Sequence, residues 1–157
     1  MPFIHLTTFI AAPAERVFDL SRSIMLHKRS MDKYGEQAVN GKTSGLLEFD
    51  ETVTWKAKHI YKERLLKVKI TALQRPYSFT DEQVTGDFKT MKHDHFFKPV
   101  DNGTIMIDQF HFEIGNPFAK WINAFYLTAY LTRLLEERNA HLKNMAEGGQ
   151  WAPLLLR

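Results

Sequence analysis

The 157-residue chain contains no cysteine, and this absence removes several kinds of site at once. Disulfide frameworks, zinc–thiolate centres and cysteine nucleophiles are all excluded. The N-terminal stretch Met-Pro-Phe-Ile-His lacks the basic region and the apolar core of a secretory signal peptide. No apolar run approaches the roughly 20 residues that a membrane-spanning helix needs. The sequence therefore predicts a soluble, cytoplasmic protein.

A strong charge of one sign is also missing, because 21 Lys and Arg face 18 Asp and Glu. The basic residues are interleaved with acidic ones, whereas nucleic-acid binders cluster them on one face. We therefore expect no nucleic-acid partner, while a weak contact with an anionic membrane surface stays open. Glycine-rich phosphate loops, dinucleotide fingerprints and Ser-His-Asp spacings are absent as well, so no cofactor is predicted.

What the chain has in quantity is aromatic surface, with twelve phenylalanines in a length that suits one domain. This composition favours a large core or an apolar cavity lined with rings. Residues 3–10 predict one strand. Pro13 suits the first turn of a helix that continues to Leu20, and residues 25–35 predict a second short helix or turn. From about residue 36 to residue 114 the pattern predicts β structure throughout.

Within this β region, apolar and polar residues alternate with a period of two, as expected for half-buried strands. Val53, Trp55 and Ala57, for example, alternate with threonines and lysines. Asp101-Asn102-Gly103 predicts a hairpin turn, and Gly86 predicts a tight turn or a bulge. Because the links between the strands are short, neighbouring strands must be antiparallel.

The last helix is predicted to open at Gly115-Asn116-Pro117 and to end near Glu147. Its apolar stripe changes sides near residues 126–130. The first side carries Phe118, Trp121, Ile122, Phe125 and Ala129, and the second carries Leu131, Leu134, Leu135, Leu142 and Met145. One explanation is a bend or break in the helix. The other is a first half that buries a second surface, against a partner subunit or a membrane.

Short motifs follow one another along the chain in an order that resembles one superfamily. They are Ala12-Pro13-x-Glu15-x-Val17-Phe18, Glu51-Thr52-Val53-Thr54-Trp55, Phe79-x-Asp81-Glu82, Gly86-x-Phe88, His93-x-His95-x-Phe97 and Leu134-Leu135-Glu136-Glu137-Arg138-Asn139. With them, residues 1–147 resemble the START-like superfamily, also called SRPBCC or polyketide cyclase/dehydrase-like proteins. The resemblance implies an α+β helix-grip fold, with one or two short helices after the first strand and a curved antiparallel sheet wrapped around a long C-terminal helix. It also implies a cavity between sheet and helix, and it leaves residues 148–157 as an apolar tail, docked or disordered.

Strand alternation selects the candidate site, because residues two apart on a strand face the same side. Mixed apolar and polar faces of this kind are typical of small-molecule pockets. The candidate ligand-binding residues are Trp55, His59, Phe79, Asp81, Gln83, Met91, His93, His95, Phe97, Met106, Asp108, Phe125 and Ala129. Which face is concave is left open, since Phe88 and Phe96 have the opposite parity to His93. A bulge near Gly86 would bring Phe88 to the same face as His93.

The pair His93 and His95 admits three interpretations. With His59 or Asp108 they have the residue types of a zinc or iron site, but no second spaced motif accompanies them, so no metal is predicted. With Asp81 or Asp108 an imidazole can act as a general acid or base. The candidate catalytic residues are then His93, His95 and Asp108. The same groups can instead bond a ligand's carbonyl or hydroxyl.

Three functions follow from these observations. The leading hypothesis is the binding or carriage of an apolar, lipid-like or polyketide-like small molecule. The first alternative is an enzyme of the cyclase, dehydratase or isomerase type that uses the cavity histidines. The second alternative is a protein interaction module that works through the last helix and the tail, with a homodimer as one outcome.

Overall fold

A computed structural model describes residues 2–115 and 124–156 of the chain. Within them the strands are β1 (Phe3–Ile10), β2 (Gln37–Gly41), β3 (Thr52–His59), β4 (Lys62–Gln74), β5 (Ser78–Thr85), β6 (Phe88–Val100) and β7 (Gly103–Ile114). They form one antiparallel sheet in the order β1-β7-β6-β5-β4-β3-β2. The predicted turn at Asp101 and Asn102 joins β6 to β7, since Val100 pairs with Gly103.

The helices are α1 (Ala14–Ser21), α2 (Ile24–Ser30) and α3 (Ala124–Glu147). Pro13 precedes α1, and the Ser23 hydroxyl caps α2 by accepting from the Leu26 amide at 3.2 Å. A curved sheet with a long C-terminal helix confirms the predicted helix-grip α+β fold. Among the described residues, no helix is both long and apolar enough to cross a membrane.

Helix α3 lies against the sheet and is continuous from Ala124 to Glu147, so it has no break near residues 126–130, and a bend there stays a prediction. Its buried residues include Leu135, Asn139 and Leu142. Leu135 and Leu142 belong to the hydrophobic core. In this core Phe18 packs edge-to-face against Phe79 and Phe97, and Phe79 stacks on Phe97. Of the predicted helix start at residues 115–117 only Gly115 is described, and Phe118, Trp121 and Ile122 lie outside the described residues.

The prediction of β structure throughout residues 36–114 is wrong between β2 and β3. Residues 42–51 form a loop whose middle crosses to the α1–α2 junction, while Asp50 and Glu51 at its end hydrogen-bond to Ile70 of β4. Leu46 makes an isolated bridge to Ser23, and the Leu47 amide donates to the Arg22 carbonyl at 3.0 Å. Burial of these two leucines outweighs the β pattern of the segment.

The tail after α3 packs on its own domain. Leu154 is 2% exposed and belongs to the main core, and its carbonyl accepts from the Ser23 hydroxyl at 2.7 Å. The Arg16 guanidinium lies 4.1 Å above the Trp151 ring. Of the alternatives that the sequence left open, docking on the same chain is therefore the one observed.

Candidate functional site

A cavity of about 280 Å³ lies between the sheet and α3. Five strands, β3 to β7, and the helix contribute to its wall, which is mostly apolar and includes Trp55, Val68, Met91, Phe110, Leu131 and Leu135. Its polar wall residues include Asp81, His93 and Arg138. The strands supply these side chains from alternate positions, which explains why apolar and polar groups share one surface.

The structure decides which face of the sheet points inward. On β6, Met91, His93, His95 and Phe97 are buried, whereas Phe96 is 39% exposed. The register then brings Asp81 opposite His93 and Asp108 opposite His95, all on the inner face. Trp55 and Phe79 are buried as well.

A bulge near the start of β6 brings Phe88 to this inner face. The pairing with β7 shifts between Phe88, which pairs with Ile114, and Thr90, which pairs with Glu113. One extra residue in β6 reverses the facing of everything before it. Phe88 consequently lines the cavity and packs edge-on against Phe110 and Phe112, as the sequence hypothesis required.

A buried carboxylate, Asp108, organises the polar side chains behind the cavity wall. Its Oδ1 is 2.8 Å from Nε2 of His93 and accepts from the Arg138 guanidinium at 3.2 Å. Its Oδ2 accepts from Nδ2 of Asn139 at 2.7 Å. Asp108 is fully buried, so these bonds replace the water that the charge would otherwise need. We call Asp81, His93, His95, Asp108, Arg138 and Asn139 the polar network.

The His95 ring is buried among charged and aromatic side chains. Its Nε2 is 2.7 Å from Oδ1 of Asp81, and its Nδ1 lies 3.2 Å from Oδ1 of Asp108, close enough for an ion pair but not aligned as a hydrogen bond. Its ring stacks on Phe79 with centroids 4.1 Å apart and on His93 at 3.7 Å. His95 is therefore a buried member of the network and not part of the cavity wall.

Burial opposes charge throughout the network, and the hydrogen bonds decide which groups stay ionised. Burial alone would raise the pKa of Asp108, but the bonds from His93 and His95 outweigh it and hold that pKa well below 3.8. The pKa of Asp81 is lowered for the same reason, by His95. Burial and then the charge of His95 lower the pKa of His93 to about 4. Burial would lower the pKa of His95 too, yet the nearby Asp108 and Asp81 carboxylates raise it.

These shifts favour two carboxylates and a neutral His93 near neutral pH. Because Nε2 of His93 faces the Asp108 carboxylate, the proton of the neutral ring belongs on that nitrogen. Nδ1 of His93 then carries the lone pair and has no hydrogen-bond partner among the described residues. A neutral, oriented imidazole at the cavity wall can accept a hydrogen bond or bind a cation.

Further polar residues lie near the end of the cavity formed by β3 and the start of α3. Nδ1 of His59 and the Tyr130 hydroxyl are 2.8 Å apart, and burial lowers the pKa of His59. His27 stacks on Trp55 with ring centroids 4.1 Å apart, and its Nε2 lies 2.9 Å from Glu36. These pairs give the cavity a second polar region, separate from Asp108.

The predicted site residues fall into three groups. Those on the cavity wall are Trp55, His59, Asp81, Met91 and His93. Those packed in the core or the network, away from the wall, are Phe79, His95, Phe97, Met106 and Asp108. The remaining ones are Gln83, whose Nε2 donates to the Phe88 carbonyl at 2.8 Å, and Phe125 and Ala129, which are exposed on the first turns of α3.

Sequence reasoning missed the contribution of α3. Arg138, Tyr130 and Leu131 line the cavity, and Asn139 bonds Asp108, yet none of them was a candidate. The motif Leu134–Asn139 carried a usable signal, because Asn139 lies four residues after Leu135 and hence on the same buried face of the helix. A polar residue on an apolar helix face indicates a buried partner.

Known structures share this architecture. An aromatase/cyclase from Streptomyces sp. R1128 matches with a TM-score of 0.75 at 12% identity, over 93% of each chain. A START superfamily protein from Mycobacterium smegmatis gives 0.71 at 10% identity, over 92% of this chain and 97% of the other. The major latex-like protein 151 of Panax ginseng gives 0.67 at 14% identity, over 94% and 98%. No family model and no curated protein sequence matches the chain.

Likeness at such low identity carries the fold and not the activity, since one fold hosts many activities. The three matches nevertheless each cover more than nine tenths of the chain. The resemblance stated from the sequence motifs is confirmed at this level. The chain thus has the helix-grip fold of the START-like proteins.

Proposed function

We propose that the protein binds a small, largely apolar molecule in the cavity between the sheet and α3. The observation that carries the proposal is the cavity itself, about 280 Å³ in volume and walled mainly by aliphatic and aromatic side chains. This volume is near the lower end of the range for small-molecule sites, about 300–1,000 Å³. A compact ligand therefore fits better than a long acyl chain.

The polar groups on the wall indicate what the ligand carries. His93 offers the lone pair of Nδ1, and Asp81 and Arg138 lie on the wall beside it. A buried polar group left without a partner costs about 1–3 kcal/mol. The ligand is therefore expected to present a hydroxyl or carbonyl group to this end and an apolar body to Trp55 and Phe110.

Binding is favoured over acid–base catalysis by the state of the histidines. The catalytic hypothesis needs His93 and His95 both within reach of the ligand. His95 is 2% exposed, and both of its ring nitrogens face carboxylates. His93 alone lines the cavity, and a single imidazole with a pKa of about 4 is a weak base near neutral pH.

The interaction hypothesis keeps only part of its support. The tail packs into its own core through Leu154, so it is not available as a free contact segment. A homodimer, a weak contact with anionic membranes and a cytoplasmic location stay predictions. None of them is needed for a small-molecule site enclosed by one chain.

The test is native mass spectrometry of the full chain purified without detergent, followed by organic extraction and identification of what it carried. We expect one apolar molecule with a hydroxyl or carbonyl group per chain, either co-purified or taken up from an added mixture. A chain that stays empty and takes up nothing from lipid and aromatic mixtures would contradict the proposal.

A further inference from the structure

Three metal-ligating side chains of the polar network lie close together, two on the cavity wall and one directly behind it. Asp81, His93 and His95 each place one ligand atom within 4.8 Å of the others. The two histidines lie on β6. Asp81 lies on the neighbouring strand β5, directly opposite His93. Side chains on paired central strands are held more firmly than side chains on loops, which favours a preformed site.

Asp108 hydrogen-bonds the His93 imidazole and lies beside that of His95. One oxygen, Oδ1, lies 2.8 Å from Nε2 of His93 and 3.2 Å from Nδ1 of His95. The ring nitrogens that do not face Asp108 are therefore Nδ1 of His93 and Nε2 of His95. Metal-binding histidines commonly give their other N–H to a carboxylate in this way. Asn139 and Arg138 hold Asp108 in turn.

We propose that Asp81, His93 and His95 bind a divalent first-row transition metal ion, of the zinc, iron or cobalt type. The ligand atoms are Nδ1 of His93, Nε2 of His95 and a carboxylate oxygen of Asp81. Two imidazoles and one carboxylate suit these metals and not magnesium or calcium, which prefer oxygen ligands. On binding, the metal takes the place of the proton that lies between Nε2 of His95 and Oδ1 of Asp81, 2.7 Å apart, and this proton passes to the solvent.

The direct contact between His95 and Asp81 has to open, and the stacked His93 and His95 rings have to turn, for one ion to reach all three ligands. Four ligands about 2.0 Å from a tetrahedral ion are separated from one another by roughly 3.3 Å. Nε2 of His95 and Oδ1 of Asp81 are 2.7 Å apart, so they need to separate by a fraction of an ångström. The remaining ligand atoms need to approach, within a spread that does not exceed 4.8 Å.

The position of the cluster leaves room for a fourth ligand. Asp81 and His93 line the cavity, whereas His95 lies behind them. A metal held by the three therefore has its open coordination position toward the cavity and the bound molecule. Three protein ligands with one open position are the arrangement of sites where the metal contacts a ligand or water, whereas structural sites are closed.

The experiment is a metal titration of the untagged full chain after removal of metals with a chelator. Calorimetry with Zn²⁺ and visible absorption with Co²⁺ report affinity, stoichiometry and coordination. We expect one ion per chain. The variants His93→Gln and Asp81→Asn should weaken binding about 100-fold or more, because each removes a ligand without changing the volume much.

His5→Gln is the matched control, because His5 is an exposed histidine on β1 and lies outside the network. It should bind Zn²⁺ and Co²⁺ as the wild type does. Circular dichroism checks that each variant is folded, and Asp81→Asn still tests the site if His93→Gln unfolds. Absence of binding by the wild type, or binding that neither variant weakens, would overturn the proposal.

Discussion

Asn139 shows how a single side chain supports the charge at the centre of the molecule. It donates to Oδ2 of Asp108 at 2.7 Å, and both residues are buried. Hydrogen bonds to a charged group contribute about 1.5–3 kcal/mol, more than bonds between neutral groups. Without Asn139, one oxygen of a buried carboxylate loses the only hydrogen-bond donor that it has among the described residues.

The variant Asn139→Ala is therefore expected to lower the free energy of unfolding by about 2–3 kcal/mol. Asn144→Ala is the matched control, because Asn144 is an exposed residue of the same helix. Urea denaturation followed by circular dichroism measures both variants. Equal, small losses for the two would mean that the bond to Asp108 contributes nothing to stability.

The residue scale also marks where prediction from the sequence ends. Alternation along β6 correctly grouped His93 with His95, because the period of two depends on one strand only. That Asp108 lies opposite His95, and Asp81 opposite His93, depends on register between strands. Arg138 and Asn139 lie 30 and 31 residues after Asp108 in the chain. Their contribution depends on how α3 packs on the sheet, and no local sequence pattern specifies that packing.

At the scale of elements, the tail acts as part of the core and not as an appendage. A turn of 3₁₀ helix at Ala152–Leu155 places Leu154 between α1 and the rest of the core, and Leu156 is 71% exposed. Leu154 and Leu156 are the same residue type and lie two positions apart in the chain. Comparing their substitutions therefore isolates the effect of burial on stability.

Leu154→Ala should therefore destabilise the protein by about 2–5 kcal/mol, the cost of removing a buried leucine. Leu156→Ala should change the free energy of unfolding by less than about 0.5 kcal/mol. Thermal or urea unfolding monitored by circular dichroism compares the two. A tail that only rests on the surface would give two similar, small effects.

A second element-scale feature is an ion-pair cluster that joins α1 to the loop at residues 42–51 and to the end of β4. Arg22 is 1% exposed, donates to the Leu47 carbonyl at 2.6 Å and lies 3.2 Å from Glu48. Arg75 donates to Glu48 at 2.9 Å. Burial alone would raise the pKa of Glu48, but the charges of Arg22 and Arg75 outweigh it and lower that pKa below 4.5.

The lowered pKa gives Glu48 a contribution to stability that depends on pH. The contribution is complete above the ordinary pKa of 4.5 and is lost as the pH falls through the lower pKa of the folded state. Glu48→Gln should therefore be less stable than the wild type near neutral pH, and the difference should shrink on acidification to about pH 3. Urea unfolding across this range measures it, and a constant difference would contradict the argument.

At the scale of the whole molecule, the order of elements was accessible from the sequence because each element has its own period and its own end signals. The loop at residues 42–51 was not, because its leucines are buried against α1 and α2, and tertiary burial overrides local pattern. The cavity is a property of the assembled layers, sheet against helix. Its existence followed from the resemblance, strand alternation predicted part of its wall, and the structure supplied the rest.

The central claim is that this cavity takes up a small apolar molecule, and the direct test is a titration with an apolar fluorescent probe such as anilinonaphthalenesulfonate. Leu131 lines the cavity on α3, so Leu131→Trp should fill part of it. Leu156→Trp adds the same ring at an exposed position. Unfolding temperatures confirm that both variants are folded.

We expect saturable binding at one site in the wild type and in Leu156→Trp, with at least a tenfold loss of affinity in Leu131→Trp, equivalent to about 1.4 kcal/mol. The ligand identified by mass spectrometry should displace the probe. Binding that is equal in all three proteins, or that does not saturate, would place the probe on the outer surface and contradict the account.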